Sequence, residues 1–434
     1  MTSSSIRSAR KDGDHFENDK GGEDLERTSA SDSQQQLIPR VRYPLRLAEA
    51  PILLPRPGRC EDLPAQINNP CSTFSSDTGT GASSKKRRGA SPVKTTTMLR
   101  GLSTPFLYAN IAVDDPRSRL PEDIHRLFLE VGRITSRESF IPSSVRKQVS
   151  ELVDEDRVRT WWFFDDQSPD DALAELLQLR RIQADAQRCR RLVLSEAAWN
   201  LDVHGPLLRL GAVRTDGRVE REIITSARIA PQFLPTIDGK ERTNVEGKMV
   251  DFALVLNLGY DALAELDVNR FQGKEVDKAG MDEATAEVIR RAVRAQPLGQ
   301  QTINQTLYTG LQYRPAPVNV ETKVSGIPEE GRVQLGIWTA AWRIRMLTFL
   351  DLQNQQRSLI TLPLILVVEH QWYLLFACDR GDHMQILGDI RIGDTSTLLG
   401  LYSILAVIRE VAKWLDEDFR HWFLDAFSGV AGDA

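Results

Sequence analysis

Glu321 and Lys323 sit one residue apart in the run Val318-Asn319-Val320-Glu321-Thr322-Lys323. Side chains alternate faces along a strand, so this carboxylate and ammonium point the same way, with Asn319 beside them. Val318, Val320 and Thr322 then face a core. A charged pair is costly to bury without partners, so the pair marks a site. A second carboxylate, Asp251, lies within Lys248–Asn257, KMVDFALVLN. That segment is apolar on both faces, as a central strand covered on both sides would be. No turn or cap calls for a carboxylate there, and a cation partner is the economical explanation. Two carboxylates converging from adjacent strands make a hard, oxygen-rich site that suits Mg2+ or Mn2+, not zinc. The six histidines are scattered, and Cys60 and Cys71 lack partners of zinc spacing. A metal so held lowers the pKa of bound water and clamps a phosphoryl oxygen, and an adjacent lysine orients the nucleophile or stabilises growing charge. Metal-assisted phosphodiester hydrolysis is the reaction class this set would serve. The bland reading is a surface ion pair, against which the buried character of both strands tells.

The elements that must position these groups read outward from them. A tight loop follows Lys323, and a helix is expected to open near Gln334. Upstream, Ser168-Pro169-Asp170-Asp171 combines a capping Ser, a first-turn Pro and acids favoured by the helix dipole. The helix is expected to run to about Asn200, with an inward stripe at Ile182, Ala186, Cys189, Val193, Glu196 and Asn200. Glu196 on that stripe needs a cation, a metal or an amide; the alternative is a structural hydrogen bond to backbone or to His204. Leu207–Val213 and Glu222–Ile229 read as strands, and about 260–300 as a helical insertion. Leu362–Val368 and Trp372–Cys378 form a hairpin about Glu369-His370-Gln371, with another strand at Met384–Ile392. Asp394 or Thr395 should cap a last helix. Residues 101–166 form a helical flank. Its run Trp161-Trp162-Phe163-Phe164 is expected to pack on the core rather than offer a base-stacking platform.

The chain has 434 residues, 41% hydrophobic, enough for one large α/β domain over 101–425, with its core at 168–425. No apolar run approaches the ~18–20 residues of a membrane span, and no secretory signal opens the chain. Four scattered cysteines fit a reducing compartment. Residues 1–100 read as a disordered tail, and 426–434 as a short C-terminal tail. The basic run Lys85-Lys86-Arg87-Arg88 is either a nuclear import signal or a solvated charge run, leaving nucleus and cytoplasm both open. Residues 1–100 carry 16 Lys/Arg against 12 Asp/Glu, so the remainder of this −5 chain is −9. A globular part that acidic is no generic polyanion binder; contact with nucleic acid must be local or metal-assisted. Nothing in the sequence speaks to oligomeric state.

An α-β-β-β-α-β order with Asp on one strand and Glu-x-Lys on the next is similar to the PD-(D/E)XK nuclease superfamily, with its restriction-endonuclease-like core. SEAAWN at Ser195, VHGPLL at Val203, KMVDF, TINQTLY at Thr302, VETK, QLGIWTAAW and IGDTSTLLGLYSILAV resemble its fungal nuclease-like branch. The resemblance implies that Asp251 and Glu321 ligate Mg2+ or Mn2+, that Lys323 is the catalytic lysine, and that Glu196 assists metal binding. Gln334 and Trp338 resemble the family's Gln-x-x-x-Tyr element, so Gln334 would contact substrate or position Lys323. The implied partner is nucleic acid, DNA in particular, and the implied activity its hydrolysis. The chain departs from the pattern at three points. Val250 replaces the Pro of the superfamily name, Gln305 stands where the fungal branch carries His, and 70 residues separate Asp251 from Glu321. The rival is a nuclease fold without turnover that serves as a binding or regulatory module, which the acidic globular part favours. A carboxylate-metal phosphatase acting on small molecules has no substrate-selecting signature here.

Overall fold

The computed structural model describes residues 93–111, 119–165, 168–215, 217–237, 243–258, 283–325, 328–352 and 358–427. The basic run 85–88 and the insertion up to residue 282 lie outside the described residues, as does most of the expected tail. Residues 93–100 are packed, ahead of the boundary expected at 101. Val93 and Leu99 are buried, and the Thr96 N–H and hydroxyl both donate to Glu329 Oε1, at 2.6 and 2.7 Å.

In chain order the strands are β1 (Phe106–Asn110), β2 (Ile141–Pro142), β3 (Phe163–Phe164), β4 (Val219–Ile223), β5 (Thr236–Ile237) and β6 (Thr243–Asn244). They continue with β7 (Phe252–Leu256), β8 (Val318–Lys323), β9 (Leu362–Val368), β10 (Gln371–Asp379) and β11 (Met384–Asp394). The helices are α1 (His125–Thr135), α2 (Arg146–Leu152), α3 (Pro169–Arg191), α4 (Glu196–Trp199), α5 (Gly205–Ala212), α6 (Glu283–Arg294), α7 (Pro328–Leu352), α8 (Leu398–Trp414) and α9 (Arg420–Phe427). Among the described residues none is long and apolar enough to cross a membrane.

One seven-stranded mixed sheet runs in the order β1-β11-β10-β9-β8-β7-β4. The β1–β11 and β8–β9 pairs are parallel, and the rest are antiparallel. A parallel pair needs a crossover, and α7 supplies it between β8 and β9. Both β7 and β8 are buried at every position, as strands covered on two faces must be. The antiparallel β7–β8 pairing sets Phe252 opposite Val320. That register brings the entry to β7 beside the exit of β8, where the paired charges lie.

Several local expectations are corrected. The long helix does not continue to Asn200: α3 ends at Arg191. The Leu194 N–H donates to Cys189 O (3.0 Å) and the Val193 N–H to Arg190 O (3.2 Å), which closes a Schellman cap with Val193 at φ +50°. A β-branched residue is strained in that left-handed position, and Val193 is 89% exposed, so no packing compensates. Val193→Gly is therefore expected to stabilise the fold by about 1 kcal/mol. A thermal-unfolding midpoint that fails to rise would contradict this. Leu207–Val213 is helical, not extended. Pro206 sits in the first turn of α5, and Leu207, Leu208, Gly211 and Ala212 are buried at helical spacing. The strand expected at Glu222–Ile229 is earlier, as β4, and stops where the Ile224 N–H donates to Asp251 O (2.8 Å) and a turn follows. The helix expected near Gln334 opens at Pro328, with Glu329 and Glu330 in its first turn. Thr397, not Asp394 or Thr395, caps α8 by accepting from the Gly400 N–H at 3.0 Å. The aromatic run divides: Trp162 and Phe163 are buried and Trp161 is exposed.

Candidate active site

β8 presents Asn319, Glu321 and Lys323 to α7 and Thr322 to the opposite face. Close approach of α7 depends on Gly331, where a Cβ would lie 2.5 Å from Leu366 Cδ1 and 3.4 Å from Glu321 Cγ. Trp338 anchors the next turns, its indole N–H donating to Asn319 Oδ1 at 2.9 Å. The TINQTLY segment steers the chain into β8. Asn304 donates to the carbonyls of Leu311 (2.6 Å) and Arg314 (2.8 Å) and accepts from the Ala316 N–H (3.0 Å). Gln305 donates to the Trp338 carbonyl at 3.4 Å, a packing contact within the core.

The structure brings four of the five expected site residues together. Lys323 Nζ donates to Glu321 Oε1 at 2.5 Å and to the Thr322 carbonyl at 2.9 Å, and stands 3.7 Å from Glu196 Oε2. Asp251 Oδ2 accepts from the Thr322 N–H (2.9 Å) and hydroxyl (2.8 Å), leaving Oδ1 without a hydrogen bond among the described residues. Glu321 is 1% exposed and its Oε2 is buried with no partner. Glu196 opens α4, half-buried, so its expected burial on a continuing helix face gives way to a place at the site's rim. His204 does not bond it. Gln334 makes no hydrogen bond to Lys323: its amide donates to the Met249 carbonyl at 2.9 Å, two residues ahead of Asp251. Of the roles expected for Gln334, positioning Lys323 is not what its contacts do.

Charge crowding explains the titration behaviour. Burial pushes the Glu321 carboxyl well above its usual range, Asp251 adds to this, and Lys323 only partly offsets it. Burial likewise raises Glu196, with Lys323 opposing and Asp251 reinforcing. Burial alone would lower Lys323, but Glu321, then Glu196 and Asp251, reverse that and hold it protonated. With all groups ionised, three carboxylates and one ammonium leave two uncompensated negative charges.

Among the described residues no group of three or more His, Cys, Asp and Glu stands close enough to hold a metal by itself. Mg2+ does not require one, since one or two carboxylates with waters suffice. The free oxygen of Asp251, the orphaned oxygen of Glu321 and the residual charge fit a small divalent cation. Glu196 reaches Lys323 and adds charge at the rim.

Sequence reasoning passes over Thr322 as a site residue, and Asn200 and His204 as its partners. All three are uncharged at neutral pH, and only tertiary pairing shows that they form a chain of contacts that reaches Asp251 through Thr322. No curated protein matches the chain. A family model described as the PD-(D/E)XK nuclease superfamily matches residues 148–420, more than half of the sequence and the whole of the site. With the mixed sheet and flanking helices, that match places the chain in the PD-(D/E)XK nuclease superfamily.

Proposed function

We propose that this chain is a divalent-metal-dependent nuclease that hydrolyses phosphodiester bonds of DNA. The observation carrying the reading is the orphaned Oε2 of Glu321, buried beside Asp251 and Lys323 in a site with excess negative charge. A buried carboxylate oxygen without a donor is costly unless a cation takes its place. Asp251 and Glu321 would hold Mg2+ or Mn2+, with Glu196 contributing charge at the rim. When bound, the ion lowers the pKa of its water and polarises a phosphoryl oxygen. The overall change is water plus phosphodiester to phosphomonoester plus alcohol. Lys323, kept protonated by its carboxylate neighbours, donates to the phosphoryl oxygen whose charge grows as the water oxygen bonds to phosphorus. Gln334 holds the Met249 carbonyl, two residues ahead of Asp251, and its half-buried side chain would contact the substrate.

The test is incubation with supercoiled plasmid and with single-stranded DNA in Mg2+, with EDTA and Asp251→Asn as controls. Cleavage lost in both controls is the expected result. Intact DNA with every substrate, from protein that still binds DNA, would overturn turnover in favour of a binding module.

A further inference from the structure

Thr322 Oγ1 lies 2.8 Å from Asp251 Oδ2 and 2.8 Å from the Asn200 amide atom placed as Oδ1, and that same atom lies 3.0 Å from His204 Nδ1. His204 Nε2 is 3.4 Å from the Glu369 carbonyl. Both ends of this chain, a carboxylate and a carbonyl, only accept. Four contacts therefore need four protons, and the side chains hold four: one on the hydroxyl, two on the amide, one on the imidazole. One arrangement satisfies every contact. It exchanges the O and N of the Asn200 amide, so that the NH2 meets both neighbours and donates to Thr322 and to His204 Nδ1. Thr322 donates to Asp251, and His204 carries its proton on Nε2 and donates to Glu369. The opposite amide orientation would ask the single Thr322 proton to serve two acceptors, and would set a bare Nε2 against a carbonyl.

The surrounding structure agrees with this direction. Asn200 and His204 sit in the π-helical turn Asn200–His204 that joins α4 to α5, an element that places their side chains side by side. His204 is fully buried, stacked on Trp199 at 5.6 Å between centroids and met edge-on by Trp372 at 5.7 Å. Burial lowers its pKa to about 3, so the ring is neutral, as a ring with one acceptor and one donor must be. Glu369, at φ +52°, turns its N–H onto the Lys323 carbonyl at 2.6 Å while its own carbonyl faces His204. The chain thus starts at Asp251 and ends on the residue that grips the backbone of Lys323.

We infer that Asn200 and His204 are positioning residues that, through Thr322, saturate Asp251 Oδ2 and leave Oδ1 as the oxygen that meets the cation. The metal part of this inference rests on the proposed function; the direction of the hydrogen bonds does not. Two measurements separate them. In 15N-histidine-labelled protein at neutral pH, the resonance lost in His204→Gln should show the Nε2–H tautomer. An Nδ1–H tautomer would overturn the inference, whatever the activity. Calorimetric titration with Mn2+ should show about tenfold weaker binding in Asn200→Ala and Thr322→Val, and near wild-type binding in Thr322→Ser. Folded variants that bind Mn2+ as wild type does would refute the positioning role. A wild-type protein that binds no Mn2+ would remove the metal reading and the positioning role together, while the tautomer still decides the chain's direction. Should the valine and alanine variants fail to fold, Thr322→Ser and the wild-type tautomer carry the test: a serine variant that loses Mn2+ binding contradicts it.

Discussion

Lys323→Met is expected to slow cleavage by about 10²- to 10³-fold while tightening divalent-cation binding. The methionine stem keeps the packing of a residue only 8% exposed, but the ammonium between Glu321 and Glu196 is gone. That ammonium has two opposed effects. It competes with a cation for Glu321 Oε1, so its removal strengthens the pull of the three carboxylates on Mn2+. It also supplies the donor for charge developing on the phosphoryl group, a loss of about 10²- to 10³-fold in rate. Calorimetry with Mn2+ and single-turnover cleavage read the two effects apart. Tighter binding with cleavage intact would remove Lys323 from catalysis. Weaker binding would refute the charge balance described for the site.

Glu321→Gln is expected to end cation binding and cleavage yet stabilise the metal-free protein at alkaline pH. Burial, then Asp251, hold the folded Glu321 carboxyl above its ordinary value of 4.5. The folded state therefore keeps a proton that the unfolded chain releases, and stability falls as pH rises between the two values. Its contribution is fully present below the unfolded value and is lost on passing through the folded one. The amide that Glu321→Gln introduces has no proton to lose, so the variant should escape that decline. The measurement is the melting midpoint of EDTA-treated protein from about pH 5 to about pH 8, with the wild type falling more steeply than the variant. Parallel curves would contradict the burial account of Glu321. Mg2+ should restore the wild type most at the alkaline end, because the ion binds the ionised carboxylate and displaces the proton.

What can be read from the sequence follows from the physics of each element. The period of two in VNVETK fixes which side chains share a face, so Glu321 and Lys323 can be paired without a structure. Asp251 is visible because nothing local explains a carboxylate inside KMVDFALVLN. Glu196 stands out for the wrong geometric reason. The stripe through Ile182, Ala186 and Cys189 is real, but Val193 leaves the helix in a left-handed cap that glycine normally signals and valine conceals. GPLLRLGA misleads because a short apolar run does not distinguish a buried helix from a buried strand. β1 escapes notice for want of a strong alternation; it joins the sheet by parallel pairing with β11, far downstream in the chain. Thr322, Asn200 and His204 carry no charge signal, and their convergence depends on the π-helical turn, which the sequence does not announce.

The most direct measurement is a calorimetric Mn2+ titration of the wild type beside Asp251→Asn. The expected result is one ion bound per chain by the wild type and binding lost in the variant, since Oδ1 of Asp251 and Oε2 of Glu321 are the oxygens left free for it. A wild type that takes up no ion, or an Asp251→Asn variant that binds it equally well, would contradict the account.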